Sequence, residues 1–177
     1  LTAIQLLWLN LVTDGAPALA LGSEKGDPDI MQYPPRPPDE PIINRTMLLG
    51  IIVQTIAISA ATLSAFAIGR SISLDLGETL AFVTLSVSEL LRAYTARSEN
   101  VTIFKIGVFS NPMMNWAVLA SLVLIITVVY VPFLQPIFNT TAIDPIHWLM
   151  ILPLILLPSI VAELSKVLIA RRKLMAG

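Results

Sequence analysis

Leu-Thr-Ala-Ile-Gln-Leu-Leu-Trp-Leu-Asn-Leu-Val-Thr-Asp-Gly-Ala-Pro-Ala-Leu-Ala-Leu, residues Leu1 to Leu21, places one carboxylate in the middle of an apolar run long enough to cross a bilayer. A spanning helix needs about 20 mostly apolar residues. Asp14 is flanked by Leu9, Leu11 and Val12 on one side and by Ala18, Leu19 and Ala20 on the other. An acid facing lipid at that depth costs roughly 3 kcal/mol on insertion scales. A segment that keeps one is expected to turn it toward a cavity, a partner or an ion.

The rest of the chain has the same character. Its 177 residues are 55% hydrophobic and 13% charged, with mean hydropathy +0.79. Soluble domains carry about 25% charged residues, so most of this chain is expected to face lipid or other helices. The absence of cysteine excludes disulfides, thiolate metal sites and cysteine nucleophiles, and the lone His147 excludes a multi-histidine metal site. The net charge of −1 gives no reason to expect a nucleic-acid partner. Leu1 already lies inside an apolar segment, so the chain reads as a cut through a larger protein.

Hydropathy and length predict an all-α, polytopic bundle of about five spans, over roughly 1–21, 47–68, 79–94, 113–131 and 147–170. The third is short and carries Glu89 and Arg92. The fifth contains Pro153, Pro158 and Glu163. The first is expected to break near Gly15 and Pro17, because proline removes a backbone donor and clashes with the preceding turn. The linker 22–41 is polar and proline-rich, with Pro34-Pro35-Arg36-Pro37-Pro38. The linkers 69–77, 95–112 and 132–145 separate the remaining spans, and no internal repeat is visible.

With five spans, ten of the eleven Lys and Arg residues fall on one side and Arg70 alone on the other. Positive residues favour the cytoplasm. The first and third linkers and the C-terminus are therefore expected to be cytoplasmic. Asn44-Arg-Thr and Asn100-Val-Thr would then escape glycosylation, whereas Asn139-Thr-Thr would face outward.

Asn10, Thr13 and Asp14 stand at i, i+3 and i+4, which share one face of an α-helix. Amide, hydroxyl and carboxylate oxygens without nitrogen or sulfur suit hard cations such as Ca2+, Mg2+ or Na+. Asn and Thr also bridge membrane helices with no ion involved, but the acid requires a cation or a proton, and its own span contains no basic residue. Glu89 is the second candidate, able to meet Asp14 in the bundle interior. Arg92, three residues on, offers Glu89 an intrahelical ion pair instead. Glu163 and Lys166 have the same spacing and read as a structural salt bridge. Trp116 and Trp148 fit interfacial anchors.

These residues carry a resemblance. Leu7 to Gly15, with Ala20-Leu21-Gly22, resembles the sixth membrane helix of P-type Ca2+-transporting ATPases of the sarco/endoplasmic reticulum type. Asp27-Pro28-Asp29-Ile30-Met31 with Pro34-Pro35-Arg36 resembles the cytoplasmic loop that follows it. Ser88-Glu89 and Ser98-Glu99-Asn100 resemble the eighth helix and its loop, and Trp148-Leu149-Met150 with Glu163-Leu164-Ser165-Lys166 resembles the tenth. The resemblance implies a C-terminal cation-transporting ATPase membrane domain over 1–177, holding the sixth to tenth helices of a ten-helix pump. It implies that Asn10, Thr13, Asp14 and Glu89 bind transported Ca2+. Further ligands, together with the ATP- and Mg2+-dependent chemistry, would lie in preceding helices and cytoplasmic domains of the same pump, its expected partners along with the lipid bilayer.

No Asp-Lys-Thr-Gly-Thr motif, phosphate-binding glycine loop or nucleophile elbow occurs in the chain. It has no catalytic or cofactor-binding residues of its own and alone should be inactive. Arg92 departs from the reticulum-type pattern, which has a neutral residue there; it is expected to act as a tethered cation that leaves one Ca2+ per cycle. A Na+ or Mn2+ pump is an alternative within the family, and a non-catalytic membrane assembly module is one outside it. The absence of cysteine and of long loops fits a bacterial plasma membrane.

Overall fold

A computed structural model describes residues 1–24, 31, 41, 43, 45–98 and 101–175. Lys25, Asp27, Asp29, Arg36, the proline run, the Asn44 sequon and Glu99-Asn100 lie outside the described residues. So do the side chains of Arg45, Arg171, Arg172 and Lys173.

The chain opens with α1 (Ala3–Trp8), a π-helical segment (Leu9–Gly15) and α2 (Ala16–Gly22), which run on as one span. It continues through α3 (Arg45–Arg70), α4 (Leu74–Thr95), the short α5 (Ile103–Ile106), α6 (Pro112–Tyr130), the short α7 (Gln135–Phe138) and α8 (Pro145–Met175). Among the described residues there is no strand. The expectation of an all-α polytopic bundle is met.

Among the described residues, four helical stretches are long and apolar enough to cross a membrane: Ala3–Gly22, Met47–Arg70, Pro112–Tyr130 and Pro145–Val167. The fifth, α4, is long enough at 22 residues, about 33 Å at 1.5 Å per residue, but too polar to join them on composition. Its position explains the polarity. It packs against α3, α6, α8 and the π segment, so Thr79, Thr84, Ser86 and Ser88 are buried against protein. Leu80, Phe82 and Val83 beside them form the centre of the core, with Ile125 and Val129 of α6 and Ile151 of α8. The other helices expose Leu63, Leu149, Leu152 and similar side chains, the pattern of a lipid-facing surface.

The third span begins earlier than its hydropathy predicts. Residues 74–77 read as part of the linker, and the span as starting near Thr79, because Asp75 and Glu78 interrupt the apolar run. Ser73 caps the helix instead, its Oγ accepting from the Leu76 amide at 3.1 Å. Asp75 then sits in the first turn, where the helix dipole favours an acid. The linker shrinks to 71–73. So tight a hairpin brings Gly69 and Gly77 into backbone contact: a Cβ on Gly69 would lie 2.6 Å from the Gly77 Cα and 2.7 Å from its nitrogen. Backbone cannot yield as a side-chain tip does. Gly69→Ala is expected to destabilise by about 1–3 kcal/mol, seen as a lower thermal-inactivation midpoint of the full-length protein, whereas Gly50→Ala, with open space around it, should leave the midpoint unchanged.

Two side chains from neighbouring helices hydrogen-bond to the backbone of α8. Gln54 of α3, with its amide oriented by its surroundings, donates to the Pro158 carbonyl at 3.2 Å and accepts from the Ala162 amide at 3.1 Å. It thus inserts into one rung of the ladder that follows the proline. Ser88 of α4 donates to the Ile155 carbonyl at 3.2 Å. The opposite end of the bundle is tied by Gln5, fully buried, whose Nε2 donates to the Phe138 carbonyl at 2.8 Å, and by Trp8 packed edge-on against Phe138 at 5.0 Å.

Candidate cation site

The interruption expected near Gly15 and Pro17 is a widening of the helix. Leu9–Gly15 forms a π-helix, in which each amide bonds five residues back. Pro17 then stands in the first turn of α2, where a missing N–H is tolerated. The i→i+5 register assigns the Val12 carbonyl to the nitrogen of Pro17, which carries no hydrogen. That carbonyl is met from another helix: Ser121 Oγ of α6, buried, donates to it at 2.7 Å.

The wider turn also alters which oxygens travel together. Leu9, Val12 and Thr13 are buried, whereas Asn10 and Asp14 lie on the exposed side. The α-helical stacking of Asn10, Thr13 and Asp14 is thereby replaced: Thr13 turns inward to α4. Its Oγ1 lies 2.7 Å from the Leu9 carbonyl and 3.1 Å from Glu89 Oε2. One hydroxyl hydrogen serves only one acceptor at a time. When Leu9 takes it, the Thr13 oxygen and the Glu89 carboxylate present lone pairs to each other, an arrangement that a cation or a proton relieves.

Thr13, Asp14 and Glu89 line one open cavity of about 430 Å³ with Pro17, Arg92 and Ala93. Asn10 is not among its lining residues. Glu89 is half-buried and Arg92 exposed. Among the described residues no ion pair within 4.0 Å joins them, so the intrahelical pair expected at this spacing does not form. Arg92 also lines a second, smaller cavity of about 200 Å³ with Gln54, Thr95 and Lys166, so it stands between the acids and the far side of α4. Among the described residues no three His, Cys, Asp or Glu side chains gather to hold a metal. Ca2+ takes six to eight oxygens, more than the described residues gather here.

Two buried polar hubs hold the ends of these helices. Arg97, whose side chain is 1% exposed, donates from Nε and Nη2 to Glu24 at 2.8 and 2.7 Å, and from Nη1 to the Gly107 carbonyl at 2.9 Å. Asn111 adds a donor to Glu24 at 2.8 Å and caps α6 by accepting from the Met114 amide at 3.0 Å. The hydrogen bond from Arg97 holds the Glu24 carboxyl below the usual range, against the opposing effect of burial, with Asn111 acting in the same direction as Arg97. In the second hub Lys166 pairs with Glu163 at 2.8 Å, as its spacing predicts. Its Nζ also donates to the Thr95 carbonyl at 2.6 Å, and Glu163 accepts from the Ile103 amide at 3.0 Å. The contacts of Arg97 and Ser121 are not visible in the sequence. The available signals were a serine in the middle of the charge-free span α6 and an arginine just past the end of α4.

Comparison with known proteins adds to this geometry. Residues 1–168 match the family model described as cation transporting ATPase, C-terminus. A "Calcium-transporting ATPase" of Bacillus subtilis is 37% identical over 176 residues, 98% of this chain and 19% of that protein. The human "Calcium-transporting ATPase type 2C member 1" is 34% identical over 168 residues, 94% of this chain and 18% of that protein. "Calcium-transporting ATPase 1" of Schizosaccharomyces pombe is 38% identical over 147 residues, 81% of this chain and 16% of that protein. The chain thus spans less than a fifth of the length of these relatives.

Proposed function

Because the chain belongs to the family of cation-transporting ATPase C-terminal regions, we propose that it is the ion-binding and supporting membrane domain of an ATP-driven Ca2+ pump. The observation that carries the proposal is the meeting of Thr13, Asp14 and Glu89 at one cavity, with Thr13 Oγ1 and Glu89 Oε2 3.1 Å apart. Hard oxygen donors inside a polytopic bundle suit a hard cation. Asn10 completes the proposed set of metal-binding residues from the exposed side of the π segment, where a preceding helix of the parent protein would lie. ATP and Mg2+ act in cytoplasmic domains of that parent. The motifs resemble the sarco/endoplasmic reticulum type, while the relatives named above include a bacterial and a type 2C protein; the proposal rests on the Ca2+ pump and not on a subtype. The first and third linkers and the C-terminus face the cytoplasm, and a bacterial plasma membrane is the proposed location.

ATP-driven uptake by the full-length protein in inside-out vesicles tests the reading. Ca2+ accumulation is expected. Accumulation of Na+ or Mn2+ with none of Ca2+ overturns the ion assignment, and no transport of any of them in the presence of ATP overturns the pump.

Arg92 bears on stoichiometry. Its guanidinium lines the cavity beside Glu89 without pairing to it at contact distance, a position from which it replaces one mobile cation. One Ca2+ bound per phosphorylatable pump is expected, measured by equilibrium binding against phosphoenzyme. Two ions per pump refute the tethered-cation role.

A further inference from the structure

We infer that Ser121 of α6 is a positioning residue for the cation site, fixing the π register that turns Thr13 toward Glu89; the inference rests on the Ca2+ pump reading. Three observations converge. The Val12 carbonyl, adjacent to Thr13 and two residues from Asp14, has the proline nitrogen as its i→i+5 partner and gains no bond from it. Ser121 Oγ supplies that bond at 2.7 Å. Ser121 is 2% exposed, in a span with no charged residue, so water does not replace it readily.

The alternative register explains why this bond selects a geometry. In an α-helix the Val12 carbonyl pairs with the Ala16 amide, four residues on. That register satisfies Val12 internally and moves the unpaired carbonyl to Thr13, four residues before Pro17, where the Ser121 bond to Val12 gives no help. Moving from the π to the α register displaces the helix by one residue, about 100° of rotation. Such a turn carries the Thr13 hydroxyl off Glu89 and swings Asp14 relative to the cavity. The hydroxyl of Ser121 is a ligand only of the π form, and it biases the two-state segment by binding one state alone. Ser121 touches no ion. It acts through Val12 on the oxygens that do.

The test uses the full-length pump and the Ca2+ concentration for half-maximal phosphorylation by ATP, with the maximal phosphoenzyme level read separately. Ser121→Ala removes the donor and leaves space. It is expected to raise the half-maximal Ca2+ concentration about tenfold, the scale of a buried carbonyl left unpaired, with the maximal level at saturating Ca2+ unchanged. Ser121→Thr keeps the hydroxyl and should restore wild-type Ca2+ dependence. Ser121→Cys, similar in shape with a weaker donor, should fall between them and stands in if the alanine variant does not assemble. A wild-type half-maximal concentration in the alanine or cysteine variant overturns the inference, as does a lower maximal level without a shift in Ca2+ dependence. Asp14→Asn, measured beside them, separates the two failures. If it abolishes Ca2+ dependence while Ser121→Ala changes nothing, the positioning role fails and the pump reading stands. If it leaves Ca2+ dependence intact, the placement of the site in the pump reading falls, and the positioning role with it.

Discussion

Asp14→Asn in the full-length pump is expected to abolish Ca2+-dependent phosphorylation by ATP at any Ca2+ concentration that activates the wild type. The substitution preserves shape and one oxygen and removes only the charge. In the described part of the site Asp14 and Glu89 are the two acids at the cavity, and Arg92 at its edge opposes a divalent ion. Neutralising one acid leaves a single negative charge against a fixed positive one. A unit charge about 4 Å from another is worth about 4 kcal/mol at an effective dielectric of about 20, and each 1.4 kcal/mol is tenfold in affinity. The Ca2+ requirement should therefore rise at least about a hundredfold, beyond the working range. Phosphoenzyme formation as a function of Ca2+ is the measurement. Retained dependence on micromolar Ca2+ removes Asp14 from the site.

The second large effect is structural. Arg97→Met should lower the thermal-inactivation midpoint of the full-length protein more than any single loss of a lipid-facing side chain. The methionine fills similar space but removes from Glu24 the positive charge and two of its hydrogen bonds, leaving Asn111 as its donor, and takes one donor from the Gly107 carbonyl. Breaking a buried pair from one side costs about 3–5 kcal/mol. The cost lies mainly in the abandoned acid, so the double variant Arg97→Met with Glu24→Leu should recover part of the loss. A double variant less stable than Arg97→Met alone would show that the hub acts through packing and not through charge.

Acid should weaken the same hub. The Glu24 carboxyl is held below its ordinary value in the folded protein. Its contribution is thus complete above the ordinary carboxyl range and is lost as pH falls through the lower folded value. The gap in stability between wild type and Arg97→Met should narrow across that acidic window.

Several features were readable from local properties alone. Met47 to Ile68 and Met113 to Val131 announce spans because apolar length needs no knowledge of neighbours. Asp14 and Glu89 stand out because an acid in such a setting is costly wherever the chain goes. The spacing of Glu163 and Lys166 already implied their bond, since residues three apart on a helix are neighbours. The start of α4 was misplaced because hydropathy discounts Asp75 and Glu78, while Ser73 and the helix dipole welcome acids there. The spacing permits a pairing of Glu89 with Arg92 that does not form, and the hydrogen-bond partner of Glu89 is Thr13 on another span at 3.1 Å. Arg97 and Lys166 count toward the cytoplasmic charge bias, yet both are buried and bonded. Charge counting sees their sign and not their surroundings.

The sequence by itself determined that this is a helical membrane bundle, where its apolar spans run, and that Asp14 and Glu89 lie within it. These follow from side-chain transfer energies and chain length, which sum along a single segment. Only the tertiary structure decided that the first span widens into a π-helix, that Thr13 turns to Glu89 while Asn10 stays on the outer side, and that Ser121 answers the Val12 carbonyl. Those outcomes depend on which group of a distant segment stands opposite an unsatisfied one. In an apolar medium, where water cannot complete the missing bond, that opposition settles the register.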